Sequence, residues 1–130
     1  YVDKFIICEA KFSHAGKPKK LNFDINKHLK FKDKIIYIVL DNEPEDIIYL
    51  DNDQKIESVD KLRINSIKRI AHQRNKLLEA VNKVADPDDY ILYSDNDEIP
   101  NLDLFNPNQN KCKIVVFEQN LFYYCEVNCL

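Results

Sequence analysis

Asp88-Asp89-Tyr90-Ile91-Leu92-Tyr93-Ser94-Asp95-Asn96-Asp97-Glu98-Ile99-Pro100 is the most informative stretch of this 130-residue chain. Residues 90–94 form a short apolar and aromatic run of strand length and character. The run ends in three acids within four positions, Asp95, Asp97 and Glu98. Pro100 then stops a strand or helix from running on. Asp95 and Asp97 are two apart, so in extended backbone their carboxylates share one side. Paired hard oxygen donors at a strand's end suit Mg²⁺ or Mn²⁺, which keep waters and complete their shells with substrate phosphates. Open α/β sheets bind ligands at the carboxyl ends of their strands. Clusters of Asp and Asn also form plain turns, and the residues alone leave both readings open. An EF-hand loop fits poorly, because no glycine follows at the sharp-turn position.

Just before this stretch lies the strongest helical pattern, over residues 61–85. Apolar residues recur there at Ile64, Ile67, Ile70/Ala71, Leu77/Leu78, Val81 and Val84/Ala85, spaced mostly by three and four. Asp60 is a plausible N-cap. Arg74 falls on the apolar stripe, where it either snorkels outward or reaches a buried acid or a phosphate. Asp86-Pro87-Asp88-Asp89 ends the helix and hands the chain to the acidic stretch.

Earlier still, residues 4–9 read as a buried strand ending on Glu9, followed by a basic loop that carries Lys11, Lys17, Lys19 and Lys20. An acid at a strand end can accept from a nucleobase or ribose, and loop lysines can meet phosphate as point charges. The plainer reading is a turn cap and solvated lysines. Residues 26–31 suggest a helical turn, and residues 34–40 a second strand apolar on both faces. Leu50-Asp51-Asn52-Asp53 repeats the acidic triplet, but in a stretch rich in Asp and Glu that reads as a loop. After Pro100 come a short helix at 101–105, a loop at 106–110, and strands at 113–117 and 121–127. The last is dense in aromatics, which suits a core or a sugar-stacking face. Strand–helix–strand order with buried strands indicates an α/β fold with a largely parallel sheet.

Composition narrows the function. A net charge of −3 gives no basic surface for nucleic acid. No apolar run is long enough to span a membrane, and no signal peptide is present. The chain starts on Tyr1 and runs at once into a strand pattern, as a segment of a longer chain would. Cys8, Cys112, Cys125 and Cys129 lack zinc-ligand spacing and are read as free thiols. The chain has no Asn-x-Ser/Thr acceptor, which speaks against a glycosylated, secreted protein. Its one glycine, Gly16, excludes a P-loop and a Gly-x-Gly-x-x-Gly fingerprint. A nucleotide would have to be held by a cation and basic side chains instead.

With these pieces assembled, the chain resembles glycosyltransferase family 17, which includes the β-1,4-mannosyl-glycoprotein 4-β-N-acetylglucosaminyltransferase. The likeness is carried, in the family's order, by Val2-Asp3-Lys4-Phe5-Ile6-Ile7-Cys8-Glu9-Ala10, by Phe12 with Gly16-Lys17-Pro18-Lys19, by Gln73-Arg74-Asn75, and by Ser94-Asp95-Asn96-Asp97-Glu98-Ile99-Pro100. Phe122-Tyr123-Tyr124 is similar to the family's aromatic segment. The resemblance implies a GT-A fold, a Rossmann-type, mostly parallel sheet flanked by helices. The family has a strand and helix ahead of the first matching segment and continues past the aromatic one. Residues 1–130 are therefore expected to be a single partial GT-A-like domain, incomplete at both ends.

The resemblance also implies a metal-dependent glycosyltransferase that moves N-acetylglucosamine from UDP-N-acetylglucosamine to a glycan hydroxyl with inversion. Asp97 would ligate Mn²⁺ or Mg²⁺, and Asp95 would meet the metal or the ribose. Glu9 would lie near the nucleobase, Lys17 near the donor, and Arg74 beside the acidic motif or a phosphate. Glu98 is a candidate base only by its closeness to the motif. Two other classes compete: nucleotidyl transfer, which usually wants a Gly-rich loop, and an inactive partial domain acting in binding or assembly. The Lys-, Asn- and Ile-rich composition suits an AT-rich microbial or viral source and a cytoplasmic location, whereas a eukaryotic member would sit in the Golgi lumen.

Overall fold

A computed structural model describes residues 2–49, 57–95, 98, 100–110 and 112–118. The chain divides into two compact units, Tyr1–Asp89 and Tyr90–Leu130. Asp97, the Asp51-Asn52-Asp53 triplet and the expected strand at 121–127 lie outside the described residues.

The first unit is α/β. Strand β1 (Phe5–Ala10) pairs in parallel with β2 (Ile35–Leu40), with Phe5 opposite Ile35 and Ala10 opposite Leu40. Both sequences are rich in β-branched and apolar residues, as a parallel strand covered on two faces requires. The crossover between them contains a 3₁₀ helix, Ile25–Lys34, close to the helical turn expected there. Its start is fixed by Asp24, whose carboxylate accepts from the backbone N–H of Asn26 at 3.0 Å.

Alternation along the strands gives the two faces different partners. Ile7, Glu9, Ile35, Tyr37 and Val39 share the face covered by the crossover, where Phe23 packs on Tyr37 at 4.9 Å between ring centroids. Phe5, on the same face, meets Phe31 edge-on at 6.0 Å. Cys8, Ala10, Ile38 and Leu40 form the other face and cluster with Phe12. Burial pushes the Cys8 thiol pKa up, consistent with a packed, unreactive sulfur.

The long helix α1, Glu57–Val84, lies against β1. The expected start at residue 61, with Asp60 as N-cap, is corrected, because the helix begins at Glu57 and Asp60 lies inside it. The expected inward stripe holds only in part: Ile70, Leu77, Val81 and Ala85 are half-buried, but Ile64, Ala71, Leu78 and Arg74 are exposed and Ile67 is 57% exposed. The buried positions are Asn65, Arg69 and Ala80, with Gln73 partly buried on the same side. The reason lies in what the helix meets. Its inner side abuts the end of β1 and two loops, whose backbone groups need hydrogen-bond partners that apolar side chains cannot supply.

The second unit contains a short 3₁₀ helix, Leu102–Leu104, capped by the Asn101 side chain. Tyr90, Phe105 and Phe117 stack edge-on in series, with centroids 6.0 and 5.8 Å apart. The strands expected at 90–94 and 113–117 are corrected: both segments are irregular, and Tyr90 is 63% exposed. An apolar run becomes a strand only when a neighbour completes its ladder, and neither segment has one among the described residues.

Candidate functional site

The carboxyl ends of β1 and β2 hold the densest polar network in the first unit. Glu9 is the penultimate residue of β1 and only 9% exposed. Its carboxylate accepts from the backbone N–H groups of Asn22 at 2.7 Å and Phe23 at 3.1 Å, from Lys19 Nζ at 3.0 Å and from the Tyr37 hydroxyl at 3.0 Å. Burial alone would raise its pKa, but these four donors outweigh burial and hold it down at about 2. Tyr37 is shifted in the opposite direction, first by burial and then by the neighbouring carboxylate. Glu9 thus ties the chain near Asn22 and Phe23 to the strand's end.

Beyond Ala10 the chain turns through a tight loop. Phe12 bridges Pro18, the Ser13 N–H donates to the Lys17 carbonyl at 2.8 Å, and the Lys17 N–H donates to Ser13 Oγ at 3.1 Å. Gly16 completes the turn with φ of 79°, the left-handed region that glycine enters without strain. The turn leaves Lys17 exposed.

Helix α1 holds this loop from below. Arg69, 7% exposed, donates from Nε and Nη2 to both oxygens of Glu43, at 3.0 and 3.1 Å, and from Nη1 to the His14 carbonyl at 3.1 Å. One turn further on, Gln73 donates to the Cys8 carbonyl at 2.7 Å. One turn back, the Asn65 amide accepts from the Ile48 N–H and donates to its carbonyl, as a neighbouring strand would. Lys68 reaches Asp46. Between loop and helix lies a cavity of 310 Å³, lined by Ala10, Phe12, Ser13, His14, Lys19 and Gln73.

The acidic motif belongs to the second unit. Asp95 is exposed. The Glu98 N–H donates to the Asp95 carbonyl at 3.1 Å, and the Glu98 carboxylate accepts from the Asp95 N–H at 3.2 Å. This reciprocal pair closes a turn and leaves the Asp95 carboxylate outside it. Among the described residues no three His, Cys, Asp or Glu side chains gather closely enough to hold a metal ion. Carboxylate oxygens in this exposed turn nonetheless match the hard-donor preference of Mg²⁺ and Mn²⁺.

Of the residues singled out by sequence, Glu9 and Lys17 flank one strand end, and Arg74 lies one position beyond the inward-facing Gln73. Asp95 and Glu98 share the acidic turn. Arg69, Glu43, His14 and Tyr37 were not foreseen. The one available signal was the solitary glycine, which marked a loop with something close beneath it.

Comparison with known proteins adds one finding. No curated protein and no solved structure matches the chain. The sequence model of glycosyltransferase family 17, however, matches residues 1–115. That span includes β1, the Gly16 loop, α1 and the acidic turn, so the chain belongs to glycosyltransferase family 17.

Proposed function

We propose that this glycosyltransferase moves N-acetylglucosamine from UDP-N-acetylglucosamine to a glycan hydroxyl, with inversion at the anomeric carbon. The cavity at the carboxyl end of β1 is the observation that carries this reading, because α/β sheets bind nucleotides there. At 310 Å³ it is about the smallest size of a small-molecule pocket, enough for one portion of the donor.

The chain's residues divide the work. Lys17 supplies positive charge for the donor diphosphate, and Arg74 meets a phosphate. Glu9, with its carboxylate already accepting four hydrogen bonds, shapes the nucleoside's surroundings through the segments it ties down. Asp95 and Asp97 would hold Mn²⁺ or Mg²⁺. When bound, that ion supplies Lewis-acid neutralisation of the leaving diphosphate. An acceptor hydroxyl attacks in line, its proton taken by a carboxylate. No residue is assigned as that base: Glu98 stands beside the metal-binding pair, whereas an in-line attack needs its base on the opposite face of the sugar.

The test is a calorimetric titration of UDP-N-acetylglucosamine into the chain, with and without Mn²⁺, beside Asp97→Ala. Binding that needs both the metal and Asp97 supports the reading. Binding of a nucleoside triphosphate in place of the sugar nucleotide points to nucleotidyl transfer. A folded chain with no metal-dependent ligand overturns the enzyme reading in favour of a binding or assembly domain.

A further inference from the structure

We infer that Arg69 is a positioning residue for the donor: it fixes the loop at residues 12–18, and with it the wall of the cavity at the end of β1. The inference rests on the donor-site reading above and names the device that shapes that site.

Arg69 spends its guanidinium on two segments at once. The paired bonds to Glu43 hold its plane, since a bidentate fork admits little rotation. The remaining nitrogen, Nη1, then meets the His14 carbonyl. His14 lies on the 12–18 loop and lines the cavity. The loop's own bonds close its turn but do not fix where the turn sits above the helix. From α1, Arg69 reaches this turn through its bond to the His14 carbonyl.

Gly16 supplies the second, independent observation. A Cβ on Gly16 would stand 2.8 Å from Arg69 Cζ and 3.1 Å from Glu43 Oε1, in addition to its forbidding φ. The loop backbone therefore lies directly on the ion pair, with room only for hydrogen. The one glycine in 130 residues stands where loop and clamp touch. That close fit sets the height of Ser13 and His14 on one side of the cavity against Gln73 on the other.

The test titrates UDP-N-acetylglucosamine with Mn²⁺ into wild type, Arg69→Met, Gly16→Ala and Asn65→Ala, well below each melting temperature. Asn65 lies on the same side of α1 and holds the segment at Ile48, so its loss lowers stability without touching the loop. Donor affinity is expected to weaken about ten-fold or more in Arg69→Met and Gly16→Ala, and to stay at wild-type level in Asn65→Ala. Gly16→Ala uncovers no buried charge and remains informative if Arg69→Met does not fold. Wild-type affinity in both loop variants overturns the inference while the proposed function stands. An equal loss in Asn65→Ala also overturns it, by reducing Arg69 to general stability. A wild-type chain that binds no sugar nucleotide overturns the proposed function and the inference together.

Discussion

The basic loop after β1 and the acidic turn at Asp95 are held in opposite ways. The loop's surroundings are fixed by partners far apart in sequence: Glu9 with Tyr37, Arg69 with His14, Gln73 with Cys8. Among the described residues, the acidic turn is closed by bonds between Asp95 and Glu98, three residues apart. The difference separates two kinds of dependence. The loop keeps its place above the helix only while the first unit is folded, whereas the turn is closed locally. Substitutions should therefore cost stability at the first and chemistry at the second.

The hardest strain on this comparison is Arg69→Met. Removing the guanidinium leaves Glu43, whose side chain is 33% exposed, without its partner. A loss of about 3 kcal/mol is expected, read from urea denaturation. A loss below about 1 kcal/mol would show that the Arg69 clamp contributes little to holding the loop. Next comes Glu9→Gln, which removes the charge behind four hydrogen bonds and should cost about 2 kcal/mol.

Acid should sharpen the same point. The Glu9 pKa is about 2 in the folded chain, against an ordinary value of 4.5. Its folded form binds the proton more weakly than the unfolded form, so its contribution is complete above pH 4.5 and fades as pH falls toward 2. Denaturation midpoints should drop across that window in the wild type and drop less in Glu9→Gln. Equal slopes would break the assignment of acid sensitivity to this carboxylate.

The smallest effect on stability is expected at the acidic turn. Asp95→Ala should change unfolding free energy by less than about 0.5 kcal/mol, as exposed substitutions do, yet remove the Mn²⁺ dependence of donor binding. A large stability loss with metal dependence intact would reverse the comparison.

The elements themselves were largely readable before any coordinates. Residues 4–9 and 34–40 announced β1 and β2 by their apolar, β-branched content, and the three-and-four spacing announced α1. What the spacing could not reveal was that polar residues, more than the apolar stripe, would hold the buried side of α1. Apolar periodicity identifies a face able to be buried, but the partner decides which face is. Here the partner is backbone at a strand end and in two loops, and it selects Asn65, Arg69 and Gln73. Residues 90–94 failed as a strand for a related reason, since a ladder needs a second chain segment that composition cannot specify. Glu9, Lys17, Asp95 and Glu98 were legible as candidates because acids and lysines at element ends are visible in sequence. The clamp of Arg69 on Glu43 was not, because it joins positions 26 apart without any repeating pattern.

The hydrogen bond from Gln73 to Cys8 spans 65 positions, whereas β1 and β2 pair at a separation of 30. Chain closure becomes entropically more costly as the loop lengthens, though slowly, and long-range contacts slow folding. The strand pair with its crossover is therefore expected to assemble before the helix docks, which would put the docking step late on the folding route. Gln73→Ala should then speed unfolding while leaving the folding rate almost unchanged. A matching fall in the folding rate would place helix docking at the barrier instead. If docking is late, the Gly16 loop would take its final position last, and the cavity would be the part of the unit that matures after the sheet already exists.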